Sequence, residues 1–571
     1  TTDEPSRYRR VALPARTRVW HRDRIVEAQD RLRGIAGVTV LIHDQQCAAE
    51  KRRDRKRGLV PTPTRKIVID HRVCEGCGDC GVQSNCLSLQ PLDTEFGRKT
   101  VIDQASCNLD TSCIKGDCPA FLTVTPAGRA KTAVRQPDGP PPEPPPIVPA
   151  EGVTIRMPGV GGTGVVTVSQ LLGAAAKIDG RDSRAVDQTG LSQKAGPVVS
   201  TISIGDARAG TVDVLLGFDL LVSVTPANLA GLDPDASVVI ASTSIAPTGR
   251  MVGRPDTATV EILPYLGELD RRSRAARNRY VDASGLTVGL LGSALTANVF
   301  LLGVAFQAGA IPISADAIER AMELNGAAVE ANRAAFRWGR TWVVDPVQVE
   351  AAAGREVAPA VDTSGLDDLD DDAELRRMVA IRRAELVAYQ DRATAAHYVD
   401  VVRRCRAAEQ AAGGDGTFTR TVAHQLHRLM AYKDEYEVAR LLLTSRTRAE
   451  QAVGPVENVA WNLHPPLLRS LGMQRKLRLG NWSRPALLAL RSMKRVRGTR
   501  LDPFGRTDAR RTERQLIADY EQLVARLLPE LAEDPAGCAR VAGLVDVVRG
   551  YETVKLRNVA AYRSALAEAG Y

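Results

Sequence analysis

A chain of 571 residues is too long for one hydrophobic core, and 44% hydrophobic with 25% charged residues excludes a disordered polymer. A formal charge of +9 suits acidic partners without naming one, and ten cysteines are too few for a secreted disulfide scaffold. Three or four domains are expected.

The chain opens on Thr1-Thr2-Asp3, without Met and without a signal-peptide pattern, and reads as a piece of a longer polypeptide or a processed chain. Val38 to Ile42 reads as a strand. Lys51 to Arg57 reads as a solvated helix end rather than a nucleic-acid patch, because no aromatics interleave with it.

Seven cysteines then fall between Cys74 and Cys118, a clustering that points to metal. Cys74, Cys77 and Cys80 stand at C-x2-C-x2-C, followed by Cys86; Cys107, Cys113 and Cys118 form a second group, with Pro119 after Cys118. Two-cluster bacterial ferredoxins carry such a run twice, each fourth Cys ligating the other group's cluster. An internal repeat supports the comparison. Lys66 to Asp70 and Lys99 to Asp103 match at an offset of 33, which carries Cys74 onto Cys107, Cys80 onto Cys113, and Cys77 onto Asp110. One cubane would take Cys74, Cys77, Cys80 and Cys118. The other would take Cys86, Cys107 and Cys113, with Asp110 either holding the fourth iron or leaving it labile. Two 4Fe-4S clusters are expected, or one with a 3Fe-4S partner. Structural zinc, the competing reading, has no use for a third Cys at the same step. Cys47, Cys405 and Cys538 are isolated and expected to be buried apolar residues.

Gln136 to Pro149 holds eight prolines and reads as an extended, semi-rigid linker. Beyond it, apolar strands and helices alternate up to residue 345. Val153–Met157, Leu220–Val224 and Val238–Ala241 read as buried strands and Val165–Ala176 as a helix, a parallel α/β pattern. Gly159-Val160-Gly161-Gly162-Thr163-Gly164 lies between strand and helix, where backbone N–H groups face a phosphate. Gly159, Gly161, Gly162, Thr163 and Gly164 are therefore candidate cofactor contacts, for a dinucleotide or coenzyme A, unless the loop is only a tight turn. Asp187 would suit a ribose-binding acid, and Asp187 to Gly196 is either a ligand loop at a strand end or an ordinary surface loop. Leu286 to Ile313 carries no charge but breaks at Pro312, which favours a buried helix and a turn over a membrane span. A cytoplasmic protein without membrane attachment is expected.

An acidic linker, Asp362 to Asp372, precedes a helical pattern. Leu375, Val379, Leu386 and Tyr389 share one face, as do Leu516, Tyr520, Leu523 and Leu527. Gly414-Asp415-Gly416 imitates a thiamine-diphosphate motif but sits between helices and reads as a turn. His424 and His427 read as a helix-face pair rather than a metal pair. Asn458 to Leu501 has no acidic residue but ten Arg and Lys, from Arg469 to Arg500, and reads as a surface for an internal or protein partner, nucleic acid being disfavoured.

Cys74 to Phe121, Met157 to Gly164 and Asp187 to Ser200 together resemble the single-chain indolepyruvate ferredoxin oxidoreductases. The resemblance continues through Ala317 to Gly326, Phe336 to Arg340, Leu429 to Arg440 and Leu501 to Thr507. It implies the C-terminal half of such an enzyme, a multidomain α/β and α+β chain. Residues 1–62 would be the end of a thiamine-diphosphate-binding domain and 63–132 a two-cluster ferredoxin-like module. A Pro-rich linker, 133–150, would lead to a γ-type α/β catalytic domain, 151–358, and an all-helical C-terminal domain, 359–571. The implied reaction is oxidative decarboxylation of an aryl 2-oxo acid with coenzyme A, giving an acyl-CoA, CO2 and reduced ferredoxin. Thiamine diphosphate and Mg would come from a preceding segment or partner chain, so this chain alone would not decarboxylate. Catalytic residues are not assigned, and a homo-oligomer is expected. The alternative is an iron–sulfur oxidoreductase using a nicotinamide or flavin at Gly159–Gly164.

Overall fold

The computed structural model describes all residues except 128–133, 140, 191–195, 209, 254–259, 355–360, 370, 465–472 and 474–475, and omits the side chains of Ala48, Ala49 and Lys56. It forms two compact units. The smaller comprises Thr1–Lys66 with Asn108–Asp110, and holds the helices Ile25–Arg33 and Ala48–Lys56. Lys51 to Arg57 is helical to Lys56, as expected. Val38 to Ile42 forms no strand, and Val38, Val40 and Ile42 are 98%, 73% and 72% exposed. A strand is held by a ladder of bonds to a neighbour, and here Thr1 and Thr2 supply a single parallel bridge, Thr1 N donating to Ile42 O at 2.5 Å and Asp44 N to Thr1 O at 2.9 Å. Cys47 is exposed, not buried: it caps the helix Ala48–Lys56, whose charged sequence offers no apolar face to cover it.

The larger unit carries β1 (Lys66–Ile69, which begins at its boundary), β2 (Leu89–Leu92), β3 (Lys99–Ile102), β4 (Phe121–Pro126), β5 (Gly152–Val160) and β6 (Ser183–Thr189). It continues with β7 (Pro197–Gly205), β8 (Val214–Gly217), β9 (Val238–Ser242), β10 (Arg279–Val281), β11 (Val456–Leu463) and β12 (Leu477–Leu479). The cysteine segment contributes the antiparallel pair β2–β3 and two strands of a sheet ordered β1-β4-β11-β12. The C-terminal region is therefore not all-helical. β11 pairs antiparallel with β4 and with β12. Gly454 and Pro455 end a helix, and a Val- and Trp-containing run follows whose remote partner selects the strand.

The second sheet runs β10-β9-β8-β5-β7-β6. β5, β8, β9 and β10 are parallel, but β7 is antiparallel to both β5 and β6, so the sheet is mixed rather than parallel. The short connection from Thr189 to Pro197 leaves no room for the helical crossover a parallel neighbour needs. Leu220–Val224 is not a strand. Leu220–Ser223 is a helical turn capped by Asp219, which accepts from Val222 N at 3.0 Å, and the buried strand is β8. A short apolar run looks the same in a buried helix and a buried strand.

Val165–Ile178 is helical, as expected, and buries Val168, Leu171 and Leu172 against the sheet. Leu286 to Ile313 forms two helices, Ala283–Leu291 and Ala297–Gln307, the second buried along its whole length. It meets Val329–Val344 backbone to backbone, since a Cβ on Gly303 or Gly339 would strike the carbonyl of Phe336 or Phe300. No described helix is long and apolar enough to cross a membrane. The proline segment is seated rather than loose: Gln307 donates to Pro142 O at 2.8 Å and Arg340 to Pro141 O at 2.6 Å. Both helical faces read from the sequence are buried, Leu375 to Tyr389 and Leu516 to Leu527. Cys405 and Cys538 are buried there as well.

Candidate functional site

The 33-residue repeat is built twice from the same hydrogen bonds. Asp70 O accepts from Val73 N at 3.1 Å and Cys74 N at 2.8 Å; Asp103 O accepts from Ser106 N at 3.3 Å and Cys107 N at 3.1 Å. The carboxylates repeat it, Asp70 Oδ1 accepting from Arg72 N at 3.0 Å and Asp103 Oδ1 from Ala105 N at 2.9 Å. The copies are also cross-tied. Asp70 N donates to Ala120 O, two residues past Cys118, and Asp103 N to Ser88 O, two residues past Cys86, both at 2.8 Å. Each copy thus holds the last cysteine segment of the other.

The thiols follow the same logic. Burial pushes Cys77 up to about 12, with the charge on Cys74 adding to it. Cys80 is raised by burial and then by Cys74, Cys118, Cys77 and Cys113. Cys118 is raised by burial and Cys74, while Lys476 opposes the shift. Cys77, Cys80 and Cys118 therefore all feel the charge of Cys74, Cys80 that of Cys113 as well, and thiols so raised give up their protons most readily with a cationic centre among them. Their donor set fits an iron–sulfur cluster. Among the described residues no three His, Cys, Asp or Glu side chains close on a single metal position. Cys86, Cys107 and Cys113 lie partly buried on the same core. Asp110 belongs to the smaller unit with Asn108 and Leu109.

Sequence reasoning missed the cover over the first loop. Lys433 Nζ donates to Cys74 O at 3.0 Å, Lys476 Nζ to Cys118 O at 2.6 Å, and Tyr551 OH to Val73 O at 2.5 Å. Arg549 donates to Glu75 O at 3.2 Å and to Arg98 O at 3.3 Å. The sequence signals were the absence of acidic residues around Lys476 and the resemblance over Leu429 to Arg440, which contains Lys433.

Gly159–Gly164 sits at the C-terminal end of β5, where β5 has β8 on one side and β7 on the other, the position at which α/β sheets bind ligands. Gly159 belongs to the strand, packed so that a Cβ would meet Val165 and Phe218. Gly162 and Gly164 turn the chain at φ 88° and 104°, with open space over Gly162. Gly161 N donates to Gly196 O at 2.7 Å, and Asn298 Nδ2 reaches Thr163 O at 3.2 Å. Buried Asp219 stands beyond Phe218, its carboxyl raised by burial and lowered by the amides of Ala246, Val222 and Leu221.

Asp187 is not where a ribose-binding acid would stand. It lies on edge strand β6, two strands or about 10 Å from β5, and accepts from Ser200 Oγ at 2.6 Å. In the Asp187–Gly196 loop, residues 191–195 lie outside the described residues. So does part of the basic stretch, including Arg469. Gly414–Gly416 is a turn between helices, as read. His424 and His427 share the helix Thr417–Met430, both kept neutral by burial, His424 down to about 3.

Residues 154–342 match the family described as Pyruvate ferredoxin/flavodoxin oxidoreductase, and residues 375–568 a family of unknown function (DUF6537). The Thermotoga maritima pyruvate oxidoreductase subunit PORC structure is similar over 34% of this chain and 96% of that one, at 21% identity and a TM-score of 0.27. The common subunit gamma of the pyruvate/ketoisovalerate oxidoreductases of Thermococcus litoralis is 25% identical over 30% of this chain and 85% of its own length. Indolepyruvate oxidoreductase subunit IorB of Pyrococcus horikoshii is 28% identical over 193 residues, 32% of this chain and 93% of the relative. The middle region of the chain is of the indolepyruvate ferredoxin oxidoreductase type. That region, the six-stranded sheet with its helices, carries the likeness to oxidoreductases of the 2-oxo acid:ferredoxin type.

Proposed function

We propose that this chain is the electron-transferring C-terminal half of an enzyme that oxidatively decarboxylates an aryl 2-oxo acid such as indolepyruvate. Coenzyme A takes the acyl group, CO2 leaves, and ferredoxin carries the electrons away. Thiamine diphosphate and Mg come from a preceding segment or a partner chain, because the one Gly-Asp-Gly here is a turn. Cys74, Cys77, Cys80 and Cys118 would hold one iron–sulfur cluster, and Cys86, Cys107 and Cys113, with Asp110, the other. When bound, such clusters pass electrons singly.

The observation that carries this reading is the pair of crossed bonds, Asp70 to Ala120 and Asp103 to Ser88. They hold each loop beside the cysteine segment that its partner loop leads into. Lys433 and Lys476 place ammonium groups on the carbonyls of Cys74 and Cys118, where they offset the negative charge of thiolates. Gly159–Gly164 would orient the anionic part of a co-substrate at the β5 edge.

Iron and acid-labile sulfide, counted per chain after strictly anaerobic purification, test the proposal. About eight irons mean two cubanes with the fourth site of the second held by Asp110 or a substitute; about seven mean Asp110 leaves it empty. Zinc without sulfide overturns the electron-transfer reading.

A further inference from the structure

Beside the first cysteine loop lies a cavity of about 720 Å³ that the proposed function does not use. Its size falls within the roughly 300–1,000 Å³ of small-molecule sites and is far larger than a single ion needs. Its charged lining is cationic throughout: Arg72, Arg440 and Arg448 on one side, Arg491, Lys494 and Arg495 on the other. Three carboxylates neutralise the first group from behind. Glu385 pairs with Arg72 at 2.6 Å and also with Arg440, Glu437 with Arg440 at 2.7 Å, and Asp70 with Arg448 at 2.6 Å.

The second group comes from the helix Arg484–Ser492 and the turn Met493–Val496. Lys494 Nζ rests on Ala388 O at 2.9 Å, its pKa lowered by desolvation and then by Arg440 and Arg497. The second group therefore adds positive charge at a concave surface whose other arginines are already paired, where a bound anion would be favoured. Guanidinium forks match phosphate oxygens in pairs. Thr444 and Ser492 also line the cleft, their hydroxyls donating to Leu441 O and Leu488 O, both at 3.0 Å.

We propose that this cleft binds a small polyanion carrying linked phosphates, of the pyrophosphate or nucleoside polyphosphate class. The site stands independently of the iron–sulfur reading, because none of the cysteines lines it. A cavity of this volume suits a compact ligand, whereas an acidic protein would need a broader face.

Inorganic pyrophosphate and tripolyphosphate, each titrated calorimetrically into the full chain at low ionic strength, test the site. About one equivalent of either should bind. The double variant Arg491→Ala/Arg495→Ala, at two exposed side chains of the cleft, should weaken binding roughly tenfold or more. Arg484→Ala, on the same helix but outside the cleft, should stay within about twofold, as expected for a charge that makes no direct contact. Circular dichroism of each variant confirms the fold. No saturable binding of either probe, unchanged binding in the double variant, or equal loss in Arg484→Ala overturns the proposal. Saturable binding of an acidic protein alone, with both phosphates inert, overturns it too.

Discussion

The two cysteine loops share a backbone but not its side chains. In the first loop Gly76 and Gly78 turn at φ 65° and 77°; at the offset of the repeat, Leu109 and Thr111 turn at φ 57° and 62°. Glycine takes this left-handed region freely, while other residues carry a cost of about 1–2 kcal/mol each. The second loop thus keeps the shape of the first without the residues that make it easy, and with Asp110 where the first has Cys77. Its geometry is retained against local preference, as happens where a ligand or site over-determines the backbone.

The largest expected effect breaks the crossed wiring. Cys118→Ser should lower the iron count by about four, and so should Cys77→Ser. Combining the two should cost no more than either alone, whereas Cys118→Ser with Cys107→Ser should remove about eight. An uncrossed arrangement would reverse those two double variants.

Next in size is Gly76→Ala, which would place a Cβ against the Arg98 carbonyl at a positive φ. A loss of about 2–3 kcal/mol in denaturant unfolding is expected. The mirror change, Leu109→Gly, should gain up to about 1 kcal/mol instead, the smallest of these effects. Equal outcomes at the two positions would show that the backbones are not equivalent.

Between them stands the cover on the first loop. Burial alone would raise the Asp546 carboxyl, but Arg549 and Arg428 outweigh it and hold it down at about 2. A depressed acid contributes stability above its unfolded value, near 3.9, and loses it as pH falls through about 2. Its side chain is 45% exposed, so solvent screening limits the contribution to about 1 kcal/mol. Asp546→Asn should lose that amount at neutral pH and flatten the stability profile between about pH 4 and 2. An unchanged profile would detach Asp546 from the Arg549 clamp.

Spacing made much of this legible. The repeat, the crossed cysteine segments, the glycine turn between β5 and its helix, and the Leu516–Leu527 face all leave periodic or pairwise marks in the chain. What failed were decisions taken by distant partners. Val38 to Ile42 has strand composition but no strand beside it, Leu220 to Val224 is claimed by the Asp219 cap, and the fate of Val456 to Leu463 is set by β4. Lys433 lay within Leu429 to Arg440, a stretch of the resemblance without an assigned role, and Tyr551 carried no pattern at all, because a single donor to a backbone carbonyl requires none.

The sheet β1-β4-β11-β12 has a consequence for how the protein is made. Asn462 donates to Phe121 O across 341 positions of sequence, so the outer face of β4 stays unpaired until the ribosome has passed β11. The cysteine segment emerges early yet completes its sheet late. Excised alone, it would present β4 as a bare edge open to association with other chains. Maturation of this segment is therefore tied to the synthesis of the C-terminal region, and the two behave as one folding unit.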